Sequence, residues 1–539
     1  MARMSGSAVD PEPDAAGDAA GDPVGAETLT RIRRRLVRPM PTDYRLAWLV
    51  PLAITGVAAF MRFWRITRPG SKIFDETYYA HDSYSLLKHG VELDSNSNDK
   101  VPGFVVHPPL GKWMIAVGEQ FFGNTPLGWR FSAAIVGSLA VFMIARIARR
   151  MFRSTLLGCV AGLLLTFDGL EFVQSRTAML DIFLMFWVLA AFGCLVLDRD
   201  DGRRRLADRL ERPLAGGDRG PWLGIRPWRI ACGVCLGAAT ATKWDGLYWI
   251  PAFLILALWW DAGARRTAGA EHPVRSALLL DGVFALVPFF VIVAAVYTAS
   301  WTGWFVSDAN HAYGHDRYAL PGQSWFTHDR AVLGGWLRYH WEIYDFHSKL
   351  DAAHPYLSRP YGWLLLARPV AYFYASPHGC GAATCAQEVL GIGTPAIWWL
   401  AIPALGATLW RAVGRFDWRA AAVLVAFLAG YLPWFYEDLH HRTMFLFYLL
   451  PDVPFMVLAI TLGIGMVLGR QWVTHARRVV GAVIAGAYLV LVIGNFAFLY
   501  PVLSGQVITY DQWHQRMWLH NCDGGKHRNE HHELAPCWI

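Results

Sequence analysis

The feature that most constrains this chain is its division into apolar segments of membrane-spanning length. A hydrocarbon core of ~30 Å needs ~20 mostly apolar residues in a helix, and about eleven segments meet that measure. They run near Leu46–Trp64, Trp129–Ile147, Thr155–Phe172, Met179–Leu197, Ile230–Ala241, Gly246–Trp260, Ala277–Ala299, Ala396–Leu409, Ala420–Phe435, Met444–Leu468 and Val479–Leu499. The fifth and sixth are short and are separated only by Lys243-Trp244-Asp245. Hydrophobic residues make up 54% of the chain and charged residues 17%, respectively above and below globular averages. An all-α polytopic membrane protein is predicted. The formal charge of +7 does not speak for nucleic acid, because the basic residues fall in short clusters between apolar runs. That is the pattern of cytoplasmic loops.

Charge sets the expected orientation. The run Arg31, Arg33, Arg34, Arg35 and Arg38 precedes the first span and should hold the N-terminus in the cytoplasm. Every second loop then carries arginine: Arg146 to Arg153, Arg199 to Arg205, Arg265 and Arg266, Arg411 and Arg415, and Arg470 to Arg478. This agreement with the positive-inside rule places three segments outside: the first loop (65–128), a long loop (301–395) and the C-terminal tail (501–539). The remaining parts are an N-terminal module (45–300, which contains the first loop), a C-terminal group of spans (396–500) and the start of the chain (1–44). Met1 to Thr28 has almost no large apolar side chain and no secretory leader, so 1–44 is expected to be disordered with a basic end.

Within the first outer loop, Tyr78–His89 and Leu110–Phe122 show apolar residues at helical spacing and are expected to lie along the interface as amphipathic helices. The long loop is too extended to be a mere connection and is expected to be functional. Cys159, Cys194, Cys232 and Cys235 fall in spans, as small apolar residues. Cys380, Cys385, Cys522 and Cys537 fall outside, where disulfides persist. Pairing within each segment is simplest, although four cysteines allow three connectivities. The tail histidines His527, His531 and His532 read better as a solvated tail than as metal ligands.

The chemistry centres on Ile73-Phe74-Asp75-Glu76-Thr77-Tyr78-Tyr79, just beyond the first span. An isolated Asp-Glu pair is more often an exposed acidic turn. Two adjacent carboxylates among aromatics at a membrane surface are instead suited to taking a proton from a hydroxyl. Charges at span ends form the second group: Arg130, Arg176, Asp181, Lys243, Asp245, Asp281 and Arg442. Ionisable groups at such depth face a cavity or a partner, or snorkel from a helix end. Arg130, Arg176, Lys243 and Arg442 all sit at predicted outer ends, against the positive-inside bias, and would suit a lipid-linked phosphate. His107 precedes two prolines that fix its backbone, although a lone histidine is more often a structural hydrogen-bonding residue.

These residues resemble the protein O-mannosyltransferase family, membrane glycosyltransferases of the GT-C type that use polyprenyl-phosphate sugars. The matching motifs are Phe74-Asp75-Glu76, His107-Pro108-Pro109-Leu110-Gly111-Lys112, Arg176-Thr177-Ala178-Met179-Leu180-Asp181 and Thr242-Lys243-Trp244. They continue with His354-Pro355-Tyr356-Leu357-Ser358-Arg359-Pro360, Arg368-Pro369 and Arg442-Thr443-Met444-Phe445. The order is kept from the first span to the tenth. Eukaryotic members carry a large β-trefoil in the long outer loop, and 301–395 is too short for one, so the chain resembles the bacterial members. The family's Trp-Pro after Arg-Pro is absent; Trp363-Leu364 stands nearby.

The resemblance implies transfer of mannose, with inversion, from a polyprenyl monophosphate to Ser or Thr hydroxyls of secreted proteins, at the outer face of the cell membrane. It implies Asp75 as base and Glu76 as a helper that places the acceptor. Arg130, His107, Lys243, Arg368 and Arg442 are the implied donor-phosphate residues, and Asp181, Arg176 and Lys112 orient the site. The partners it implies are the lipid-linked donor, Ser/Thr-rich acceptors crossing the membrane, membrane lipids and the secretion translocon, with no nucleic acid. No metal ligand is assigned, and a divalent metal requirement stays open. Two other readings compete. One is a sister enzyme that moves another polyprenyl-phosphate sugar to a glycan or lipid. The other is a transporter of lipid-linked sugars, which would more often show internal repeats with broken midplane helices; no such repeat is visible.

Overall fold

A computed structural model describes residues 23–94, 103–104, 106–210, 220–306, 325–469, 474–519 and 538. In chain order the helices are α1 (Pro23–Leu36), α2 (Leu46–Phe63), α3 (Glu76–His89), α4 (Leu110–Phe122), α5 (Pro126–Phe152), α6 (Thr155–Thr166), α7 (Gly169–Gln174), α8 (Leu180–Leu210) and α9 (Pro227–Thr242). They continue with α10 (Trp244–Thr267), α11 (Pro273–Ser300), α12 (Trp325–Ser348), α13 (Pro395–Gly414), α14 (Trp418–Leu439), α15 (Leu446–Leu468) and α16 (His475–Leu503). Among the described residues, nine of these are long and apolar enough to cross a membrane: α2, α5, α8, α10, α11 and α13 to α16.

Two of the about eleven expected spans fall below that length, although each still runs from one end of the bundle towards the other. The third expected span breaks at Phe167, where Asp168 caps α7 by accepting from the Glu171 N–H, and α6 is left with 12 residues. The fifth is α9, 16 residues long, which ends where Lys243 turns extended. At 1.5 Å per residue these rise roughly 18 and 24 Å, short of a ~30 Å core. A periodicity window sees apolar residues and misses these backbone breaks.

α5, α8 and α15 form the centre, with most of their apolar stretches buried, while α2 and α16 turn most of theirs outward. Phe60, Val483 and Val490 are among the exposed apolar side chains, an arrangement stable only against lipid. Close packing between helices depends on small residues: a Cβ on Gly158 of α6 would lie 2.6 Å from the Ala145 carbonyl of α5. Arginine–carboxylate pairs join the ends of spans. Arg226 and Arg229 both bind Asp198, and Arg229 also binds Asp261 at 2.6 Å, so α8, α9 and α10 are tied together.

The start of the chain is more ordered than its composition predicts. α1 is helical, Arg33 pairs with Asp208 at 2.8 Å, and Leu36 packs with Leu206, Leu223 and Ala264. Residues 1–22 lie outside the described residues.

The first inter-span loop contains the two expected helices, α3 and α4. Lys112 of α4 holds them in place by reaching Asp82 of α3 (2.8 Å) and Glu92 (2.9 Å) while itself only 1% exposed. The long loop has a fold of its own. Besides α12 it contains strands β1 (Val370–Ala375) and β2 (Cys385–Gly391), antiparallel, with the Cys380–Cys385 disulfide at the turn end of the hairpin. β3 (Val507–Thr509), beyond the last span, pairs antiparallel with β2 and ties the tail to the loop. This three-stranded sheet is an exception to the all-α expectation. Cys522, Cys537 and the three tail histidines lie outside the described residues.

Candidate active site

The Asp75-Glu76 pair sits at the start of α3, and the helix sends its two carboxylates apart. Successive residues on a helix differ by ~100° in direction, so neighbours in sequence do not share a face. Glu76 points inward and is fully buried. Its Oε1 accepts from Arg130 Nε (2.8 Å) and the Ala178 N–H (2.9 Å), and its Oε2 from Arg130 Nη2 (2.7 Å) and the Ile73 N–H (3.0 Å). The remaining Arg130 donors reach the carbonyls of Ile66, Pro69 and Ser71 at 2.7 to 3.1 Å. All five guanidinium N–H groups are thus engaged inside the protein. This corrects two expectations: Arg130 has no donor left for a phosphate, and Glu76 is too enclosed to place an acceptor. Together they pin the loop that carries Asp75 against the bundle.

Asp75 points the other way and is half-buried. The preceding Phe74 has a left-handed backbone (φ 47°), which a non-glycine residue adopts at a cost, and its ring is held by several aromatics. It stacks on Tyr372 with centroids 4.9 Å apart and meets Phe445 and Phe447 edge-on. Tyr79, one helical turn after Asp75, donates a hydrogen bond to the Asp75 carboxylate. Burial, and then the nearby charge of Asp181, push the Asp75 carboxyl up to about 7; Lys243 and the Tyr79 hydroxyl act against that rise. A carboxyl poised near neutral pH is suited to general base work.

Opposite stand the cations. Lys243 follows the end of α9 and lies 2.9 Å from Asp181 Oδ1 and 3.4 Å from Asp245 Oδ2, with its Nζ 4.2 Å from the Tyr448 ring centroid. His107 is packed 6.1 Å from the Tyr79 ring and stacks 5.2 Å from His347. Burial, and then His347, Lys243, Lys112 and Arg442, hold its imidazole well below the usual range, so it is neutral at pH 7. Arg442 Nη2 lies 3.2 Å from His347 Nδ1, and His347 Nε2 lies 2.9 Å from the Val106 carbonyl. A carbonyl only accepts, so Nε2 carries the proton and Nδ1 receives the Arg442 donor. The Arg442 Nε is buried and finds no acceptor among the described residues.

The structure therefore brings together Asp75, Asp181, Lys243, His107 and Arg442. Arg176 stands apart: it donates to the carbonyls of Met61, Arg62, Trp64 and Arg65 and closes the C-terminal end of α2. Lys112 is committed to Asp82 and Glu92. Arg368 Nε donates to the Pro355 carbonyl (3.1 Å), beside Tyr356; the neighbouring His354 ring meets Phe74 and Phe445. Sequence reasoning missed Tyr448 and His347, and gave Tyr79 no role of its own. Tyr79 was legible as the residue four on from Asp75, whereas nothing near His347 in α12 signals its place. Among the described residues, no group of three or more His, Cys, Asp or Glu is placed to hold a metal ion.

Two family models match the chain: "Dolichyl-phosphate-mannose-protein mannosyltransferase" over residues 52–302 and "C-terminal four TMM region of protein-O-mannosyltransferase" over residues 332–522. The polyprenol-phosphate-mannose–protein mannosyltransferase of Mycolicibacterium smegmatis (strain MKD8) is 43% identical over 495 residues, covering 89% of this chain and 93% of that protein. The protein of the same name from Mycobacterium tuberculosis (strain CDC 1551) is 41% identical over 501 residues, covering 89% and 92%. Among solved structures, the S. cerevisiae protein O-mannosyltransferase Pmt1-Pmt2 complex bound to the sugar donor shares the fold. Its TM-score is 0.68 at 15% identity, over 92% of this chain and 95% of that one.

The fold is that of the GT-C membrane glycosyltransferases. More narrowly, the chain belongs to the polyprenol-phosphate-mannose–protein mannosyltransferase family.

Proposed function

We propose that this chain moves mannose from polyprenyl monophosphate mannose to Ser and Thr hydroxyls of proteins, and that Asp75 takes the hydroxyl proton. Mannosyl transfer from a polyprenyl phosphate to protein comes with membership of the family; the acceptor atom and the residue roles are this reading's own. The hydroxyl oxygen forms its bond to the anomeric carbon as the carbon–oxygen bond to phosphate breaks. That electron pair leaves on the phosphate, the proton passes to Asp75, and the anomeric centre inverts. Lys243 and Arg442 stabilise the charge gathering on the leaving phosphate, as fixed cations do in a partly dehydrated site. The neutral His107 donates or accepts at the same end, Asp181 holds Lys243, and Arg176 and the Glu76–Arg130 pair keep the loop in register. The observation that carries the reading is a half-buried Asp75, drawn towards neutrality, in one cluster with these cations.

The cluster lies at the opposite end of the bundle from the arginine-rich connections. Asp181 begins α8 and Arg199 lies a helical rise of roughly 27 Å further on. With the arginines inside, Asp75 works at the outer face of the cell membrane, the N-terminus is cytoplasmic and the tail is outside. Acceptors are then proteins crossing or leaving the membrane, with the secretion translocon as a neighbour.

The acceptor is tested with purified protein in nanodiscs, polyprenyl phosphate bearing labelled mannose, and a Thr/Pro-rich peptide beside its Thr→Val counterpart. Label on the Thr peptide alone is the expected result. Label passing only to an added glycan or lipid would assign the chain to a sister reaction instead.

A further inference from the structure

At the arginine-rich end of the bundle is a cavity of about 700 Å³ that the transfer reaction does not use. Arg35 and Arg38 enter it from the end of α1 and just beyond, Arg153 from the end of α5, and Arg199 and Arg203 from α8. The connection between α13 and α14 closes the other side with Arg411, Arg415 and Arg419, beside Trp410, Phe416 and Trp418. Among the described residues, Asp417 is the one carboxylate in the lining.

The local acids do not balance these cations. Asp417 is shared by Arg411 (2.6 Å) and Arg419 (2.7 Å), and Asp200, just behind the wall, by Arg153 (3.0 Å) and Arg199 (3.1 Å). Arg35, Arg38 and Arg415 have no carboxylate within ion-pair distance among the described residues. Arg199 is held flat, with its Cζ 3.5 Å from the centroid of Trp418, and its buried Nε finds no acceptor among the described residues. A topogenic role requires arginines near the span ends, but it does not require four separate elements to converge on one hollow. Like charges gathered there repel one another and favour a bound anion.

We propose that this cavity binds a phosphate-bearing anionic headgroup, with Arg38, Arg199 and Arg415 supplying donors that no acid among the described residues takes up. Guanidinium forks match phosphate oxygens in charge and geometry. The rim points to a membrane lipid as the source: Phe416 is 82% exposed and Trp410 54%, aromatic side chains at the level where a bilayer meets water. A helix of roughly 27 Å separates the cavity from Asp75, so an occupant there acts as a cytoplasmic-face lipid anchor or effector and not as sugar donor.

The test uses the full chain in nanodiscs of phosphatidylcholine with or without cardiolipin, followed by native mass spectrometry of retained lipid and a thermal-shift titration with inorganic pyrophosphate. Retention of cardiolipin over phosphatidylcholine, weakened roughly 30-fold in Arg38→Gln/Arg415→Gln, is expected at about tenfold or less per surface arginine. Mannosyl transfer in pure phosphatidylcholine should be the same for both proteins. Stabilisation by pyrophosphate that is lost in the variant, without lipid retention, would keep the site and assign it a free phosphate. Equal binding of both ligands by wild type and variant would overturn the proposal. Arg38 and Arg415 are both exposed, so the fold is expected to tolerate the change. Should the pair still misfold, Arg415→Gln alone reads the same outcomes with a smaller loss.

Discussion

Glu76→Gln separates a structural carboxylate from a chemical one. The wild-type group receives four donors: Arg130 Nε and the Ala178 N–H on Oε1, and Arg130 Nη2 and the Ile73 N–H on Oε2. An amide has one acceptor oxygen, so in either orientation its NH2 faces two donors. Arg130 also keeps its charge in a fully buried place with no counter-ion there. Breaking one side of a buried pair costs ~3–5 kcal/mol. In a chain of this size that lowers the unfolding midpoint by about 5 °C. The assay is tryptophan fluorescence on heating in nanodiscs, run beside the transfer rate per folded molecule. The expected result is a clear loss of stability with less than about tenfold loss of rate, against ~10²–10⁴-fold for a missing base. A Glu76→Gln protein that melts like wild type but transfers no mannose would refute this division of labour.

Other outcomes follow from the same geometry. With Asp75 at about 7, kcat/KM should rise with pH through that value and level off above it, since the base must be ionised. Asp181→Asn removes the neighbouring negative charge and releases Lys243, both of which lower the Asp75 pKa, so the acid limb should move to lower pH. A limb that stays in place would show that Asp75 is not the titrating group. His347→Ala should raise KM for the lipid donor more than it lowers kcat, because it removes the side chain that steadies Arg442; an unchanged KM would count against Arg442 as a phosphate ligand. His347 itself is pushed down to about 4, by burial first and by Arg442 second. The unfolded chain therefore binds more protons between about pH 4 and 6.5, and stability should rise with pH across that window and be complete above it. A His347→Gln protein should lose that portion of the slope in pH-dependent melting.

Much of this was legible in the chain because hydrophobic length and charge asymmetry are local signals. The nine long helices, α3 and α4, and the motif residues Asp75, Asp181, Lys243 and Arg442 all follow from them. What escaped depends on partners far apart in sequence. Arg130 reads as a phosphate ligand until its five donors are counted against Glu76 and three carbonyls. The sheet needs β2 to meet β3 across four spans, α13 to α16, and no run of residues announces that pairing. α6 and α9 are shorter than a full span because of a cap at Asp168 and an extended Lys243, which a hydropathy window averages away. α1 gains order from Asp208 and Leu206, contacts that its own composition does not contain.

The most direct test of the central assignment compares wild type with Asp75→Asn in the same nanodiscs. It measures binding of polyprenyl phosphate mannose and single-turnover transfer to a Thr/Pro-rich peptide. The account predicts equal donor affinity, an unchanged melting midpoint and a transfer rate lower by ~10²–10⁴-fold. A variant that still transfers at more than a few per cent of the wild-type rate would contradict Asp75 as the base.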